Sequence, residues 1–369
     1  MHADDLRPLI GDPDVVSVER AIAEIRSGRP VIITGEKNTA VLAIAAESIE
    51  EPALSALKQA ATGEARLVLS PSRLRLLGYD NPEPGILPLG DKRAAAIHEI
   101  VSHAGVRLNG VAPNGADTLD KAALNLVRLA FLLPAAITLP VEQGFGHALS
   151  GLINVAATAI NHFREDVVNA PRIVARAPVP LEEVGESEFV VFRGGEGMRD
   201  QVAVIIGNPN PAEPVYVRMH SACLTGDLFA SLKCDCGDQL RGTVKRMSEL
   251  GGGVLLYLDQ EGRGNGIANK IRAYRLQHAG YNTFESDEIL GFDLDQRRFD
   301  FAAAMMKQLG YRKVRLLTNN PAKVLALKEA GLDVLSIHRV GARSTSQNVG
   351  YLAAKRDFAG HMIEKDLKF

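Results

Sequence analysis

The sequence predicts a protein of mixed α/β (α+β) class with two domains, each built from a mixed sheet and packed helices. The chain has 369 residues, whereas one domain usually has roughly 100–200 residues. Residues 171–180 contain three prolines and precede the acidic pair Glu182-Glu183, a composition typical of a linker. We therefore expect one domain at residues 1–170 and a second at residues 171–369.

The first half contains segments with the periodicity of helices and of strands. Apolar residues at helical spacing indicate an early helix with Ser17 as its N-cap, and residues 31–33 have the composition of a strand. A second helix begins at Asp117 or Thr118, and a third is predicted at residues 155–163. Both kinds of element are therefore expected in the first domain.

The second half alternates strands with helices more regularly. Residues 253–258 form an apolar run typical of a buried strand, and residues 267–279 follow with helical spacing. A strand at residues 314–317 leads into a helix with Asn320 as its N-cap, and another strand begins at Val334. Two strands joined by a helix predict a β-α-β unit, so at least part of this sheet is expected to be parallel.

The composition is that of a water-soluble globular protein. Apolar residues make up 46% of the chain, and 42 basic residues nearly balance 44 acidic ones. This balance gives no indication of binding to nucleic acid or to a membrane surface. The longest apolar stretch, at residues 127–141, is interrupted by a charge and by prolines, and it is shorter than the roughly 20 residues of a membrane-spanning helix. The acidic N-terminus does not resemble a signal peptide, so a cytoplasmic location is expected.

All the cysteines of the chain fall in one short window, as Cys223, Cys234 and Cys236. Thiolates are good ligands of Zn²⁺, and three protein ligands with one open position are typical of a catalytic zinc site. An extended backbone places the two cysteines that are one residue apart on the same side. Two alternatives remain open. The cysteines are small buried residues, or His220 completes a closed structural zinc site.

Two further segments are suited to binding phosphate groups. Residues 260–266 form a glycine-rich turn before a helix, where backbone N–H groups and the helix N-terminus favour an anion. Thr318 and Lys323 flank a second helix N-terminus. Each feature alone is also typical of capped helices and solvated charges, but beside a metal site they indicate a nucleotide triphosphate pocket. Further cations in this half are Arg218, Lys270, Arg272 and Arg297. Tyr274, by its spacing, is expected to be a core tyrosine.

The motifs of the second half resemble those of GTP cyclohydrolase II in their order and spacing. They lie at residues 218–227, 231–237, 260–263, 269–274, 290–292 and 316–321. The resemblance extends from about residue 172 to the end of the chain. Enzymes of this family open the imidazole ring of GTP and release formate and pyrophosphate. Their pyrimidine product is the first committed intermediate of riboflavin synthesis.

This resemblance implies a role for each matching residue. One zinc ion per chain would be held by Cys223, Cys234 and Cys236. Asp295 would accept a proton, Arg297 would attack the α-phosphate, and Tyr274 would support ring opening in place of the core position that its spacing indicates. The residues that would bind GTP are Arg218, Gln239, Glu261, Gly262, Arg263, Thr283, Thr318 and Lys323. Mg²⁺ would accompany the triphosphate, and the family suggests a homodimer.

Three positions depart from the family pattern. Ala222 and Asp259 stand where the family usually has Glu and Arg, and Asn265 replaces a usual apolar residue. If Asp259 faces the phosphates, its negative charge weakens their binding. A second hypothesis is therefore a related zinc hydrolase that acts on another nucleotide or stops at the formamide. A third hypothesis is a non-catalytic nucleotide-binding regulator.

The first half resembles 3,4-dihydroxy-2-butanone 4-phosphate synthase, a frequent fusion partner, at residues 17–33 and 118–136. That enzyme binds its metal through an acidic cluster and a later His. Residues 34–42 lack such a cluster, residues 117–122 lack a His, and Leu119 lies near the place of that ligand. We therefore expect a degenerate, catalytically inactive domain that is retained for folding or dimerisation.

Overall fold

A computed structural model describes most of the chain. The described residues are 11–60, 63–108, 110, 112–141, 151–168, 171–182, 184–194, 200–292, 297–341, 345, 348, 356–357, 360 and 362. Among the helices in these ranges, none has the length and apolar character needed to cross a membrane.

Helices and strands are numbered here in chain order. The helices are α1 (Pro13–Arg26), α2 (Glu51–Ala60), α3 (Pro71–Leu77), α4 (Ala94–Ser102), α5 (Thr118–Leu129), α6 (Ala157–Val168), α7 (Leu224–Asp227), α8 (Cys236–Glu249), α9 (Ile267–His278), α10 (Thr283–Ile289), α11 (Asp300–Gln308) and α12 (Pro321–Glu329). The strands are β1 (Val31–Thr34), β2 (Ala40–Ala45), β3 (Arg66–Leu69), β4 (Gly85–Pro88), β5 (Asn114–Gly115), β6 (Ala135–Pro140), β7 (Asn154–Ala156), β8 (Arg172–Pro178), β9 (Ser187–Arg193), β10 (Gln201–Ile206), β11 (Val215–Ser221), β12 (Gly253–Leu258), β13 (Lys313–Leu317) and β14 (Asp333–His338).

The chain folds into two compact units that are not continuous in sequence. Unit 1 comprises Met1–Asp166 and Ala268–Leu294, and unit 2 comprises Val167–Ile267 and Asp295–Phe369. Helix α10, and α9 apart from its first residue Ile267, therefore belong to unit 1, although along the chain they lie between β12 and β13 of unit 2.

Unit 1 is built on a seven-stranded sheet in the order β5-β4-β3-β6-β2-β1-β7. Neighbouring strands are antiparallel except for β1 and β7, which are parallel. Helix α5 begins with a capping box, in which Asp117 accepts hydrogen bonds from the backbone N–H groups of Leu119 and Asp120. The apolar face of α5 is buried and contacts α1 and β6, so this helix covers one face of the sheet.

Helices α9 and α10 contribute to the apolar core of unit 1. Ala273 of α9 and the residues Leu290 and Phe292 after α10 belong to the same buried cluster as Leu74 and Leu87. The apolar side chains of one buried cluster shield each other from water, and this burial stabilises the elements that carry them. The pair is thus an integral part of the N-terminal core.

Unit 2 contains a second seven-stranded sheet, in the order β14-β13-β11-β12-β10-β9-β8. The pairs β14–β13, β13–β11 and β11–β12 are parallel, while the pairs β12–β10, β10–β9 and β9–β8 are antiparallel. The mixed sheets of both units confirm the predicted fold class. Binding sites in such folds usually lie beyond the carboxyl ends of the parallel strands.

Several local predictions are confirmed and one is wrong at the first helix. Helix α12 begins at Pro321 with Asn320 as its N-cap, as expected. Helix α1, however, begins at Pro13 with Asp12 as its N-cap. Ser17 lies inside α1 and donates a hydrogen bond to the Asp14 carbonyl oxygen (2.8 Å). An aspartate followed by a proline is the stronger signal for a helix start.

Two other segments also differ from the prediction. The predicted linker contains the strand β8, which pairs with β9 at the edge of the sheet of unit 2. Proline is compatible with such an edge because an edge strand has N–H groups without partners. The helix predicted at residues 155–163 begins only at Ala157, since Asn154–Ala156 form β7.

Candidate active site

The three cysteines converge beyond the carboxyl end of β11. Cys223 precedes α7, and Cys236 is the first residue of α8. The sulfur atoms of Cys223, Cys234 and Cys236 all lie within 4.8 Å of one another, and those of Cys223 and Cys234 are 3.6 Å apart. Two thiolates on a tetrahedral zinc ion are separated by roughly 3.8 Å, since each Zn–S bond is roughly 2.3 Å long. The cluster therefore fits a zinc ion with three sulfur ligands.

Two glycines allow this close approach of the sulfurs. A Cβ atom at Gly226 would lie 2.5 Å from Cys234 Sγ and 3.0 Å from Cys223 Sγ. A Cβ atom at Gly237 would overlap the carbonyl oxygen of Gly226. Any side chain at these two positions would take the space that the sulfur atoms and the adjoining backbone occupy.

The sulfurs also influence each other's ionisation. The hydrogen bond with the Cys223 thiol, together with burial, raises the pKa of Cys234 to about 11. The protein alone thus favours a neutral thiol at Cys234, while a coordinated cation converts such a thiol to a thiolate. This donor set is chemically suited to a soft or borderline metal ion such as zinc.

A buried network of polar side chains adjoins Cys223. Asp227 Oδ2 accepts hydrogen bonds from the backbone N–H of Cys223 (2.9 Å) and from the Tyr257 hydroxyl (3.0 Å). Asp227 Oδ1 lies 3.0 Å from His220 Nε2, and the rings of His220 and Tyr257 stack with centroids 5.6 Å apart. Burial lowers the pKa of His220, and burial and Asp227 raise the pKa of Tyr257. Asp227 thereby fixes the backbone of the first cysteine.

This network bears on the two alternatives for the cysteine cluster, which are small buried residues and a closed zinc site with His220. In the part of the chain that the structure describes, the group able to hold a metal consists of the three sulfurs and includes no histidine. His220 is bound to Asp227 instead, so the geometry disfavours a closed site with His220 as the fourth ligand. Three sulfurs within 4.8 Å of one another could together hold a metal ion.

The glycine-rich turn after β12 has a left-handed backbone. The φ angles of Gly262, Arg263 and Gly264 are 62°, 61° and 87°. This conformation costs a non-glycine residue roughly 1–2 kcal/mol, so the surroundings of Arg263 hold it there. Glu261 is buried and accepts a hydrogen bond from the backbone N–H of Leu224 (2.6 Å), the residue after the first cysteine. The turn is therefore connected to the cysteine cluster.

Arg218 places a buried positive charge on β11. Its side chain donates hydrogen bonds to Gln239 Oε1 (2.6 Å) and to the Leu317 carbonyl oxygen (3.1 Å). Its Nε–H has no hydrogen-bond partner among the described residues, which makes this buried donor suited to a ligand. Burial, and more weakly the charge of Arg297, lowers the pKa of Arg218 to about 10, so the guanidinium stays charged at neutral pH.

Two further cations lie near the ring of Phe299. Arg297 Cζ is 5.6 Å and Lys323 Nζ is 4.9 Å from the ring centroid. Lys323 is buried and donates a hydrogen bond to the Met219 carbonyl oxygen on β11 (2.7 Å). Thr318, also buried, accepts a hydrogen bond from the backbone N–H of the N-cap residue of α12 (3.0 Å). Positive charge is thus concentrated beside Arg218, as binding of a polyanion requires.

The remaining predicted site residues do not belong to the described part of unit 2. Tyr274 on α9 and Thr283 at the start of α10 belong to unit 1. Tyr274 is half-buried, with Lys270 Nζ 5.6 Å from its ring centroid, so it is not the core tyrosine that its spacing indicates. Thr283 Oγ1 accepts a hydrogen bond from Gln277 Nε2 (3.5 Å). Asp295 lies outside the described residues.

The three departures from the family pattern lie near the ends of β11 and β12. The backbone N–H of Ala222 donates to the Leu258 carbonyl oxygen (2.7 Å) and so connects these two strands. Asp259 is half-buried, and its backbone N–H donates to Gln201 Oε1 (2.7 Å). Asn265 is 4% exposed. The polar substitution at Asn265 is therefore at a buried position.

Some contributors to this site were not predicted from the sequence. Asp227 lies inside the motif at residues 218–227, which was the available signal for it. Tyr257 and Phe299 come near the site only through strand pairing and tertiary packing. Gly226 and Gly237 matter through the absence of a side chain, which spacing alone does not reveal.

Comparison with known proteins places this site in a family. The family model for GTP cyclohydrolase II matches residues 172–339, a range that includes the three cysteines. A GTP cyclohydrolase-2 from Xylella fastidiosa (strain Temecula1 / ATCC 700964) is 42% identical over 365 residues, which cover 96% of this chain and 89% of that protein. The chain belongs to the GTP cyclohydrolase II family. A GTP cyclohydrolase-2 from Azospirillum brasilense is 39% identical over 361 residues, 94% of each chain. The resemblance of the second half to this family is thereby confirmed.

Other similar proteins match the chain differently. A GTP cyclohydrolase-2 from Vibrio parahaemolyticus serotype O3:K6 is 47% identical over 180 residues, which cover 48% of this chain and 90% of that protein. Among solved structures, a two-domain 3,4-dihydroxy-2-butanone 4-phosphate synthase from A. baumannii covers 88% of this chain and 99% of its own, at 19% identity and a TM-score of 0.33. A 3,4-dihydroxy-2-butanone 4-phosphate synthase in complex with two magnesium ions covers 40% of this chain and 96% of its own, at 16% identity and a TM-score of 0.32.

Proposed function

We propose that this protein is a zinc-dependent GTP cyclohydrolase II, which opens the imidazole ring of GTP by hydrolysis. The products are formate, pyrophosphate and a diaminopyrimidinone ribosylamino phosphate, and the reaction is the first step of riboflavin biosynthesis. The observation that carries the proposal is the group of three cysteine sulfurs within 4.8 Å of one another, in a chain 42% identical to a GTP cyclohydrolase-2.

The metal centre would supply the nucleophile for the hydrolytic steps. Cys223, Cys234 and Cys236 would hold the zinc ion, which when bound supplies an ionised water as a nucleophile near neutral pH. The same purine carbon is attacked twice, first in the ring and then in the formamide that ring opening leaves, and formate is released. Asp227 would keep Cys223 in place through its backbone N–H.

The cations of unit 2 would bind the triphosphate group of GTP. Arg218 and Lys323 are buried positive charges, and an Mg²⁺ ion would share the neutralisation of the phosphates. Arg297 would form a bond to the α-phosphorus while the bond from that phosphorus to pyrophosphate breaks, and Asp295 would accept the proton that Arg297 loses. Water would then break the bond between Arg297 and the phosphorus, which frees the arginine and leaves the 5'-phosphate on the product. The other residues that we propose to bind GTP are Gln239, Glu261, Gly262, Arg263, Thr283 and Thr318, and Tyr274 would support ring opening.

The proposal extends to the rest of the molecule. Residues 171–369 would carry the family's chemistry, and residues 1–170 would form a domain without synthase activity of its own. We also propose a homodimer in the cytoplasm. Sedimentation of the purified protein tests the homodimer directly.

The test is a complete product balance. Zinc-loaded protein is incubated with GTP and Mg²⁺, and formate, pyrophosphate and the pyrimidine are quantified together, with the Cys234→Ser variant as a control. Equal amounts of the three products from the unaltered protein are expected. Pyrophosphate or a formamide without formate would favour the hypothesis of a diverged hydrolase, for which Ala222 and Asp259 are the reason. Binding of GTP without turnover would favour a regulator.

A further inference from the structure

The start of α9 is held by side chains and backbone of the N-terminal sequence. Asn269 Nδ2 donates a hydrogen bond to the Phe131 carbonyl oxygen (2.9 Å). Arg272 binds both carboxylate oxygens of Glu47, with two N···O distances of 3.1 Å. Glu47 also accepts a hydrogen bond from the backbone N–H of Leu133 (2.6 Å). The first two turns of α9 are therefore bound by directional contacts to the segment that follows β2 and to the segment that precedes β6.

The end of α10 is held in the same manner by α3. Ser70, the N-cap of α3, donates its hydroxyl to the Gly291 carbonyl oxygen (2.6 Å). Arg73 donates to the Ile289 carbonyl oxygen (2.7 Å). The backbone of Gly291 is left-handed, with a φ of 82°, and a Cβ atom there would lie 3.0 Å from Ser70 Oγ. A glycine is therefore needed where α10 ends against α3.

Arg73 connects α10 to a second helix end. It is 1% exposed, and its guanidinium also donates hydrogen bonds to carbonyl oxygens at the C-terminal end of α4. These acceptors are Glu99 (3.1 Å), Ile100 (2.5 Å) and His103 (2.8 Å). The last carbonyl groups of a helix have no partner within the helix, and a cation there is favourable. One buried guanidinium thus binds the ends of α4 and α10 together.

We propose that the N-terminal sequence is retained because it forms a binding surface for the helix pair α9–α10, with Arg73 and Glu47 as positioning residues for Tyr274 and Thr283. We call this surface the seat, and it consists of Glu47, Ser70, Arg73 and the backbone of Phe131. The proposal rests on the proposed function, from which Tyr274 and Thr283 take their roles. A planar guanidinium with several bonded donors fixes direction as well as distance, and apolar contacts alone do not. The seat therefore gives a domain without chemistry of its own a reason to persist.

The experiment uses the full-length, zinc-loaded protein and follows the helix pair directly. Hydrogen exchange is measured in peptides covering residues 268–292 and 223–236, together with zinc content and the kcat and KM for GTP. The variants are Arg73→Met, the milder Glu47→Gln in case the first does not fold, and the conservative Arg73→Lys. Arg20→Met, at an exposed arginine on α1, is the matched control.

We expect Arg73→Met to increase exchange at residues 268–292 by about tenfold, as for the loss of a hydrogen bond from a charged donor. Glu47→Gln should give a smaller increase, and Arg73→Lys should restore part of the protection. Zinc content and exchange at residues 223–236 should stay unchanged while kcat falls. Arg20→Met should match the unaltered protein in every measurement.

Three results would overturn the proposal. They are unchanged exchange at residues 268–292 in folded Arg73→Met and Glu47→Gln, an equal increase over all of unit 1, or faster exchange with an unchanged kcat. Failure of the unaltered protein to turn over GTP would instead refute the proposed function. In that case the exchange comparison still decides whether the seat exists.

Discussion

Replacing Gly226 with alanine should weaken zinc binding without unfolding the protein. The added Cβ atom would lie 2.5 Å from Cys234 Sγ, 3.0 Å from Cys223 Sγ and 3.1 Å from Cys236 Cβ. Non-bonded heavy atoms are at their best separation at roughly 3.5–4.0 Å, so at least one sulfur must move by about 1 Å. Gly226 lies in α7 and is not among the residues with a positive φ. The backbone therefore tolerates alanine, and the effect is one of space.

The expected loss of zinc affinity in Gly226→Ala follows from the crowding between the added methyl group and the sulfur atoms. Inserting a methyl group into a packed site costs about 1–3 kcal/mol. Zinc binds only when the three sulfurs are in position, so this cost appears in the zinc affinity. A free energy of 1–3 kcal/mol corresponds to an increase of about 5- to 150-fold in the zinc dissociation constant.

The assay is a competition for zinc between the protein and a chromophoric chelator. Gly242→Ala is the matched control, since Gly242 lies in α8 and a Cβ atom there would meet nothing within 4 Å. Alanine in a helix interior is favoured over glycine by up to about 1 kcal/mol, so the control should bind zinc normally and melt no earlier than the unaltered protein. If Gly226→Ala bound zinc as tightly as Gly242→Ala, the sulfurs would not be packed around Gly226 as described.

Three further predictions concern the network, the division of chemical labour and the first half. Asp227→Asn should weaken zinc binding by about 10- to 100-fold, as expected when a group that orients a ligand is altered, and the same competition assay measures it. Arg297→Ala should abolish release of both products and keep zinc, whereas Cys234→Ser should lose formate and retain pyrophosphate release; a parallel loss of both products in Cys234→Ser would contradict this division. The full-length protein should form no dihydroxybutanone phosphate from ribulose 5-phosphate in the presence of Mg²⁺, and chromatographic detection of that product would show that residues 117–122 do not lack a needed ligand.

The sequence predicted well those features that depend on residues close together in the chain. Helix α12 begins where Asn320 and Pro321 indicated, because a cap acts on the backbone of the next few residues. The cysteine cluster was predicted for a similar reason, since its members lie in one short window and share one chemistry. Ser17 was a wrong N-cap because Asp12-Pro13, a stronger start signal, precedes it.

Features that depend on distant segments could not be predicted in this way. His220 and Tyr257 meet because β11 and β12 pair in parallel with these two residues in register. Residues 172–178 form an edge strand because β9 is available to pair with them, although the prolines of residues 171–180 suggested a linker. Helices α9 and α10 are joined in unit 1 to Arg73 and Glu47, which are far away in sequence.

The place of α9 and α10 in the N-terminal core has a consequence for any division of the chain. A gene split at residue 170 would produce a C-terminal fragment in which Ala273, Leu290 and Phe292 lose the apolar cluster that buries them. The same split would leave Arg73 buried in the N-terminal fragment without its acceptor on α10. Cutting the chain at residue 170 is therefore expected to expose apolar surface of both fragments to water.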